Sequence, residues 1–336
     1  MPPARHTTII PLMRPATPTK TSGRIRIGVS ACLLGDQVRY DGGHKRDPFL
    51  TEILGPLVEW VKVCPEVEVG MGTPRESIRL VDESGVIRLR TVTTGVDHTA
   101  SMTAYAARRT AALDDEDLCG YVLKRDSPSC GMTRVKVFGG KEPGRPIGVG
   151  IFAQALLARF PHLPVEEDGR LTDPRLRENF IERIFAYRRL RDLFESRWSI
   201  GDLVRFHTAH KLVLLAHSTQ AYTRLGRLVA GAKAAERAQL RSQYTAGFMD
   251  ALTTIATPKR HTKVLHHMVG YFKKALDAAS RAELLASIED YRLGLVPLVV
   301  PMTLVRHHVR VHDVQYLPGQ IYLAPHPKEL MLRNHV

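Results

Sequence analysis

Hydrophobic and polar positions follow two different rhythms along the chain, and the change falls near residue 172. Before it, short apolar runs closed by turn residues alternate with stretches of helical spacing. The run Ile25 to Ser30 predicts a buried strand ending in a turn. Pro48 to Trp60, with Phe49, Ile53, Leu54, Leu57 and Val58 apolar, predicts a helix. Val61 to Cys64 predicts a short strand, and Ile78–Val81 with Val86–Arg90 a hairpin closed by Asp82-Glu83-Ser84-Gly85. Thr99 to Leu113 is Ala-rich and helical, Tyr121–Lys124 and Val135–Phe138 are strands, and Ile151 to Phe160 is a helix. Strand–helix alternation of this kind predicts a Rossmann-like α/β domain with a largely parallel sheet.

From Thr172 onward the period is helical throughout. Asp173-Pro174 supplies an N-cap and a first-turn proline for a helix running to about Arg197. Further helices are expected at about 202–217, 219–231, 234–256, 258–276, 280–293 and 298–311, with Pro297, Pro301 and Pro318 as punctuation. The second domain is therefore expected to be an all-α helical bundle. The expected divisions are a disordered tail at 1–23, an α/β domain at 24–170, a connecting helix at 171–200 and the helical domain at 201–336. The tail is rich in Pro, Thr and Arg, contains no acid and shows no periodicity.

Composition narrows the class. Of 336 residues 44% are hydrophobic and 24% charged, as in ordinary globular proteins, and no apolar run approaches the roughly 18 residues of a membrane helix. Four cysteines are too few for a disulfide scaffold, and no signal-peptide core is visible, so a reducing cytoplasm is expected. The charge is more telling. The net charge is +14, and residues 205–336 hold 18 basic against 8 acidic residues, a net of +10. A polyanion such as nucleic acid is the expected partner of the helical domain, with an inert basic surface as the alternative. No membrane and no obligate protein partner are expected.

Three cysteines sit in turns that follow strands: Cys32 in Ser30-Ala31-Cys32-Leu33-Leu34-Gly35, Cys64 in Cys64-Pro65-Glu66, and Cys130 in Ser127-Pro128-Ser129-Cys130-Gly131. Open α/β sheets bind ligands at the carboxyl ends of their strands, so all three thiols are candidates for one metal site. Three scattered cysteines without a C-x-x-C pair are more often inert core thiols. Cys119, beside Asp117-Leu118, is read as lying before its strand and pointing elsewhere.

These segments, with Val38-Arg39-Tyr40-Asp41-Gly42, Thr73-Pro74-Arg75 and Gly95-Val96-Asp97-His98-Thr99, resemble the thiouracil desulfidase family over roughly residues 24–167. Phe206-His207-x-x-His210-Lys211, Thr257-x-Lys259-Arg260-His261-Thr262, Gly270-Tyr271-Phe272-Lys273-Lys274 and Tyr291-Arg292-x-Gly294-Leu295-x-Pro297-Leu298 are similar to a helical domain long catalogued without a function. The two fused resemble the RudS-type family of bacterial tRNA 4-thiouridine desulfidases. The resemblance implies a 4Fe–4S cluster held by Cys32, Cys64 and Cys130 with one iron open, and hydrolytic, non-redox conversion of 4-thiouridine in tRNA to uridine with release of sulfide. Glu66 is then the first choice for general acid/base, because it lies two residues from Cys64. Ser127 and Ser129 are candidates for bonding the base or the water, with turn chemistry around Pro128 as their other use. Asp41 and Asp97 are read as turn caps, and Arg39 and Arg75 as partners of phosphate, of the cluster or of surface acids.

In the helical domain, Lys259, Lys263, His266, Gly270 and Lys274 recur at three- or four-residue steps and predict one basic face, opposite Val264, Leu265, Met268, Phe272 and Ala275. Lys211, Lys259, Arg260, Lys263, Lys273 and Lys274 are the candidate RNA contacts. His207, His210 and His217 lack a completing ligand and are read as structural or RNA-facing rather than metal-binding. Tyr222, Tyr271 and Tyr291 are read as core. Two other functions remain open: a desulfidase of free thiouracil or thionucleosides, and a non-enzymatic Fe–S or metal-containing nucleic-acid-binding sensor.

Overall fold

Val61 and Val63 bury one side of a strand and Val58 the other, and Ile25, Ile27 and Val29 bury one side of its neighbour. The computed structural model, which describes residues 25–139 and 143–336, pairs these two runs in parallel from Ile25↔Val58 to Ser30↔Val63. The expected 1–23 tail lies outside the described residues. Strand β1 (Ile25–Ser30) and strand β2 (Val58–Val63) belong to a four-stranded sheet with β5 (Leu118–Leu123) and β8 (Val165–Glu167), in the order β2-β1-β5-β8, all parallel. Gly28 in β1 is where the Tyr121 ring lies; a Cβ there would come within 2.2 Å of it.

The hairpin expected from the sequence is part of a second sheet. The hairpin β3 (Ile78–Glu83) and β4 (Val86–Thr91) joins β6 (Val135–Phe138) and β7 (Arg145–Gly148) in the order β4-β3-β6-β7, with only β3 and β6 parallel. Strands as short as β7 and β8 leave too few alternating positions to be read from the chain. Four-residue α1 (Pro65–Glu68), α2 (Thr99–Ala112) and α3 (Ile151–Arg159) complete the α/β domain.

The expected helix over 48–60 is wrong in its second half. Only Phe49–Leu54 is helical, as a π-turn, before a 3-10 turn at Gly55–Leu57, and Val58 is already strand. Pro56 has no N–H to continue the ladder, and the β-branched Val58, Val61 and Val63 pair better with β1. Cys119 is also corrected: β5 starts at Leu118, so Cys119 lies within the strand and is fully buried.

Helices α4 (Pro174–Glu195), α5 (Ile200–Ala209), α6 (Lys211–His217), α7 (Thr219–Ala230), α8 (Arg237–Thr253), α9 (Pro258–Val269), α10 (Ala278–Arg292) and α11 (Val299–Val311) follow. Asp173 caps α4 through the N–H groups of Arg175 and Leu176. The expected 202–217 helix breaks at His210, whose ring Nδ1 lies 2.8 Å from the Phe206 carbonyl that the helix end also uses. The expected 258–276 helix stops at Val269, so Ala275 is exposed rather than on a buried face.

Helix α4 serves two cores. Phe180, Ile181, Ile184 and Phe185 pack with β1 and β5 residues, whereas Ala186, Leu190 and Phe194 pack with the helical domain. The chain end returns to the α/β side, where Leu330 and Leu332 join the same core as Ile27 and Val122. Next to them Arg333, 6% exposed, donates to Glu178 of α4 at 2.9 Å and to the Tyr322 carbonyl at 2.7 Å. Glu182, one turn on, accepts from His217 at 3.0 Å. No helix of the described residues is long and apolar enough to cross a membrane.

Candidate active site

All four strands of the parallel sheet end on one edge, and each sends a functional segment from it. Cys32 comes two residues after β1, Cys64 directly after β2, Lys124 and the Ser127–Cys130 loop after β5, and Asp168 after β8. Cys32, Cys64 and Cys130 line one cavity of about 440 Å³ together with Glu66, Arg75, Lys124 and Ser127. None of the three is in a disulfide.

The loop carrying Cys130 is fixed by the helix that follows it. The Pro128 and Ser129 carbonyls accept from Ile151, Phe152 and Ala153, the otherwise unpaired N–H groups at the start of α3. Gly131 and Gly150 are needed for this close packing: a Cβ on Gly150 would lie 2.5 Å from Ser129 backbone atoms, and one on Gly131 2.4 Å from Val135. Cys64 is the N-cap of α1, with Pro65 at the first turn, and its N–H donates to Glu68 at 2.9 Å. Glu68 in turn accepts from the Tyr105 hydroxyl at 2.7 Å.

Glu66 is the most elaborately held carboxylate of the cavity. Ser129 Oγ donates to Glu66 Oε1 at 2.6 Å and Ser127 Oγ to the same oxygen at 3.3 Å, while the two hydroxyls lie 3.0 Å apart. The other oxygen, Oε2, is taken by the Arg75 guanidinium. Arg75 is 5% exposed and also donates to the Val38 and Gly72 carbonyls, each at 2.9 Å. Of the readings of Arg75, the structure shows pairing with an acid: Nη1 and Nη2 are engaged inside the protein, while Nε has no partner among the described residues. Ser127 Oγ also accepts from the Cys130 N–H at 3.1 Å, so the Ser-Pro-Ser-Cys turn and the carboxylate form one network. A turn bond and a contact with the cavity carboxylate therefore coincide at Ser127.

The thiols are in a setting that resists ionisation without a cation. Burial, then the neighbouring Cys64, raises Cys32 to about 11. Burial raises Cys64 as well, and burial together with Glu66 pushes Cys130 far up. Lys124 works in the opposite sense on Cys32. Its ammonium is anchored by Asp168 at 3.0 Å, and this pair escaped the sequence reading. Its signal was a Lys-Arg pair between a strand and the Ser-Pro-Ser-Cys-Gly turn. Among the described residues no three His, Cys, Asp or Glu side chains group closely enough to hold a single metal ion.

Of the remaining candidates Arg39 lines the cavity, and the others fall outside this network. Asp41 accepts from Gly43 N–H at 3.0 Å and Asp97 from Thr99 N–H at 2.8 Å, as turn caps do. Arg39 lies 3.4 Å from Asp41 and over the Tyr40 ring. In the helical domain Lys259 and Lys263 are exposed on one side of α9 with His266. Lys273 and Lys274 are exposed beyond its end, Arg260 is half-buried against the Ile255 carbonyl, and half-buried Lys211 opens α6 with its ammonium over the Tyr316 ring. Among the described residues none of these six cations has a carboxylate within 4 Å; the ion pairs of the domain are elsewhere. His207, His210 and His217 are buried and bonded to Tyr244, the Phe206 carbonyl and Glu182, so their role is structural.

A thiol-lined cavity on the carboxyl edge of a parallel sheet, with a carboxylate beside it, places the chain among α/β proteins whose site offers soft ligands. The comparisons narrow that class. Residues 27–168 match the family described as 2-thiouracil desulfurase, and residues 211–327 match a protein of unknown function, DUF1722. The chain is 34% identical over 161 residues to the uncharacterized protein YbgA of Escherichia coli K12, covering 48% of this chain and 95% of that one. It is 30% identical over 146 residues to the uncharacterized protein YbbK of Bacillus subtilis 168, covering 42% and 94%. Among solved structures, the 4Fe–4S-dependent thiouracil desulfidase TudS is similar at 33% identity, covering 44% of this chain and 93% of that one, with a TM-score of 0.37. The chain belongs to the 2-thiouracil desulfurase family, with a DUF1722 domain fused after the desulfurase domain.

Proposed function

We propose that this protein removes sulfur from 4-thiouridine in tRNA by hydrolysis, giving uridine and sulfide. The observation that carries the chemistry is the Glu66 carboxylate, held by Ser129 and Arg75 in the same cavity as Cys32, Cys64 and Cys130. The donor set suits a 4Fe–4S cluster better than a lone ion. A tetrahedral ion with metal–sulfur bonds of about 2.3 Å needs thiolates ~3.8 Å apart. A cluster gives each thiolate its own iron, so thiols that share a wall without converging on one point are adequate. Bound there through Cys32, Cys64 and Cys130, the cluster would supply a thiophilic Lewis acid at its fourth iron.

The protein's own residues handle protons and water. Glu66 accepts a proton as water adds to C4 of the thiouracil ring, and returns one as sulfide leaves. Ser129 and Ser127 donate to Glu66 Oε1 and keep it aimed at the cavity, and Arg75 fixes the position of its other oxygen. Atoms balance as thiocarbonyl plus water giving carbonyl plus hydrogen sulfide, with no net electron transfer. The helical domain is read as the tRNA handle. The +10 excess of residues 205–336 and the six cations without carboxylate partners among the described residues suit phosphate contacts, which position a nucleic acid without reading its sequence.

The test is anaerobic. The protein is reconstituted with iron and sulfide, desalted and given tRNA containing 4-thiouridine, and thiouridine absorbance and released sulfide are followed. Iron-dependent loss of thiouridine with equal sulfide supports the proposal. Consumption of free thiouracil or thiouridine but not of tRNA would replace it with the small-molecule reading. Binding of tRNA without any sulfide release would replace it with a sensor.

A further inference from the structure

A second cleft, of about 530 Å³, lies at the other end of the parallel sheet. The thiols sit where the strands finish, whereas this cleft is lined by Leu118, the first residue of β5. Its walls come from the α/β domain, from α4 and from α8 of the helical domain. On α4 the lining positions Tyr187, Leu190, Arg191 and Phe194 are three or four residues apart, so they share one helix face. On α8 the lining positions Ala238, Arg241, Ser242 and Thr245 have the same spacing. Three of those four side chains are small, which leaves space between the helices; protein interiors otherwise hold few voids larger than a water.

The cleft combines an apolar floor with one surplus charge. Leu113, Leu118, Leu190 and Phe194 line it and are each at most 5% exposed. Half-buried Phe160 and Tyr187 add two rings. The acids at the rim are taken: Asp114 pairs with Arg159, and Arg191 lies 2.7 Å from a carboxylate oxygen of Asp117 and of Glu195. Arg241 is different. It is exposed, its guanidinium lies 5.8 Å from the Phe194 ring centroid, and among the described residues no carboxylate lies within 4 Å of it. Ser242 and Thr245 add hydroxyl groups to the same helix face.

We infer that this cleft is a second ligand site, which takes a small apolar monoanion whose hydrocarbon or aromatic body lies on Leu118, Leu190 and Phe194 and whose acid group meets Arg241. The volume falls within the roughly 300–1,000 Å³ of small-molecule sites, and such sites favour the junctions between domains. One guanidinium without a partner suits one negative charge. A polyphosphate would meet Asp114 and Glu195 on the same rim, and a neutral apolar molecule would leave Arg241 unused. The site shares no residue with the thiol-lined cavity, so it stands apart from the desulfuration reading. Its ligand would touch both domains at once.

The probes are 8-anilinonaphthalene-1-sulfonate and N-phenyl-1-naphthylamine, which share an aromatic body and differ in the sulfonate. Titrated onto the full chain, the sulfonate should give saturable one-to-one fluorescence and bind about tenfold more tightly than the amine, a charge-assisted bond being the difference. Arg241→Gln should erase that preference and leave the amine unchanged, while Arg241→Lys keeps part of it. Arg281→Gln, at an exposed arginine of α10, should alter neither probe. Thr245→Trp fills the cleft and should abolish binding of both; if that variant does not fold, Ser242→Trp on the same face replaces it. Binding that does not saturate, a preference that survives Arg241→Gln, or binding that survives the filled cleft overturns the site. A dimer that Thr245→Trp dissociates in sedimentation would give the cleft to a second copy of the chain, and overturns it as well.

Discussion

Ser129 Oγ lies 2.6 Å from Glu66 Oε1, across 63 positions of sequence, and 3.7 Å from the Cys130 sulfur. One hydroxyl thus joins the carboxylate to a candidate cluster ligand. Glu66→Gln should lower kcat for thiouridine loss by roughly 10²–10⁴-fold, the usual worth of general acid–base catalysis, with iron content unchanged. Arg75→Lys, which keeps the charge but not the fork that reaches Glu66, Val38 and Gly72, should give a smaller loss. An active Glu66→Gln variant would remove the residue from the chemistry.

The cysteines separate cleanly. Cys32→Ala, Cys64→Ala and Cys130→Ala should each abolish both activity and iron binding. Cys119→Ala should do neither, because Cys119 sits among Ile25, Ile27 and Ile184 in the core, on residues that do not line the cavity. Iron and acid-labile sulfide assays on the four variants check this, and loss of iron in Cys119→Ala would overturn the ligand set.

For the helical domain, Lys259→Ala with Lys263→Ala should weaken tRNA binding and flatten its salt dependence by about two counterions' worth, since each phosphate contact contributes a slope near 0.7–0.9. Iron content should not change. An unaltered slope in binding titrations at several salt concentrations would move the RNA surface off α9.

Arg333 is fully buried between Glu178 and Glu182, and it carries the chain end back onto α4. Arg333→Ala leaves Glu178 without its cation and Glu182 with His217 alone, and should cost about 3–5 kcal/mol, measured by urea unfolding. A loss below about 1 kcal/mol, the range of surface pairs, would show that the carboxylates find other partners. The same closure means that truncation near residue 200 removes Leu330 and Leu332 from the α/β core, so point variants are the cleaner test of domain roles.

Acid and base act on this network in opposite senses. Burial alone would raise Glu182, but His217 and Arg333 bring it down to about 2 from an ordinary 4.5. Its contribution to stability is complete above about pH 4.5 and is lost as pH falls towards about 2. Burial would lower His217, but Glu182 and the Thr254 carbonyl raise it above its ordinary 6.5, and both ring nitrogens face acceptors. Its contribution is complete below about pH 6.5 and is lost as pH rises through the elevated folded value. Unfolding midpoints should therefore fall on both sides of mildly acidic pH. His217→Gln should remove the alkaline limb; an unchanged limb would assign it to another group.

Much of this protein is a local property of its chain and so could be read from it. The 3.6-residue period of α9, the Asp173-Pro174 start of α4, the turns around Cys32, Cys64 and Cys130, and the concentration of charge after residue 205 all depend on neighbours a few positions apart. Where local signals competed, they misled: the helical spacing of 48–60 lost to Pro56 and to the pairing of Val58–Val63 with β1, and Cys119 was drawn into β5. Tertiary structure alone decided which distant turns became neighbours. The strand order β2-β1-β5-β8 brings three thiols, Glu66 and Ser129 to one edge, buries Arg75 as the holder of Glu66, and pairs Lys124 with Asp168. It also folds the chain end against α4 through Arg333. The reason is that hydrogen-bond register and burial of apolar faces, which set strand order, are satisfied between segments tens of residues apart, and no window of sequence contains both partners.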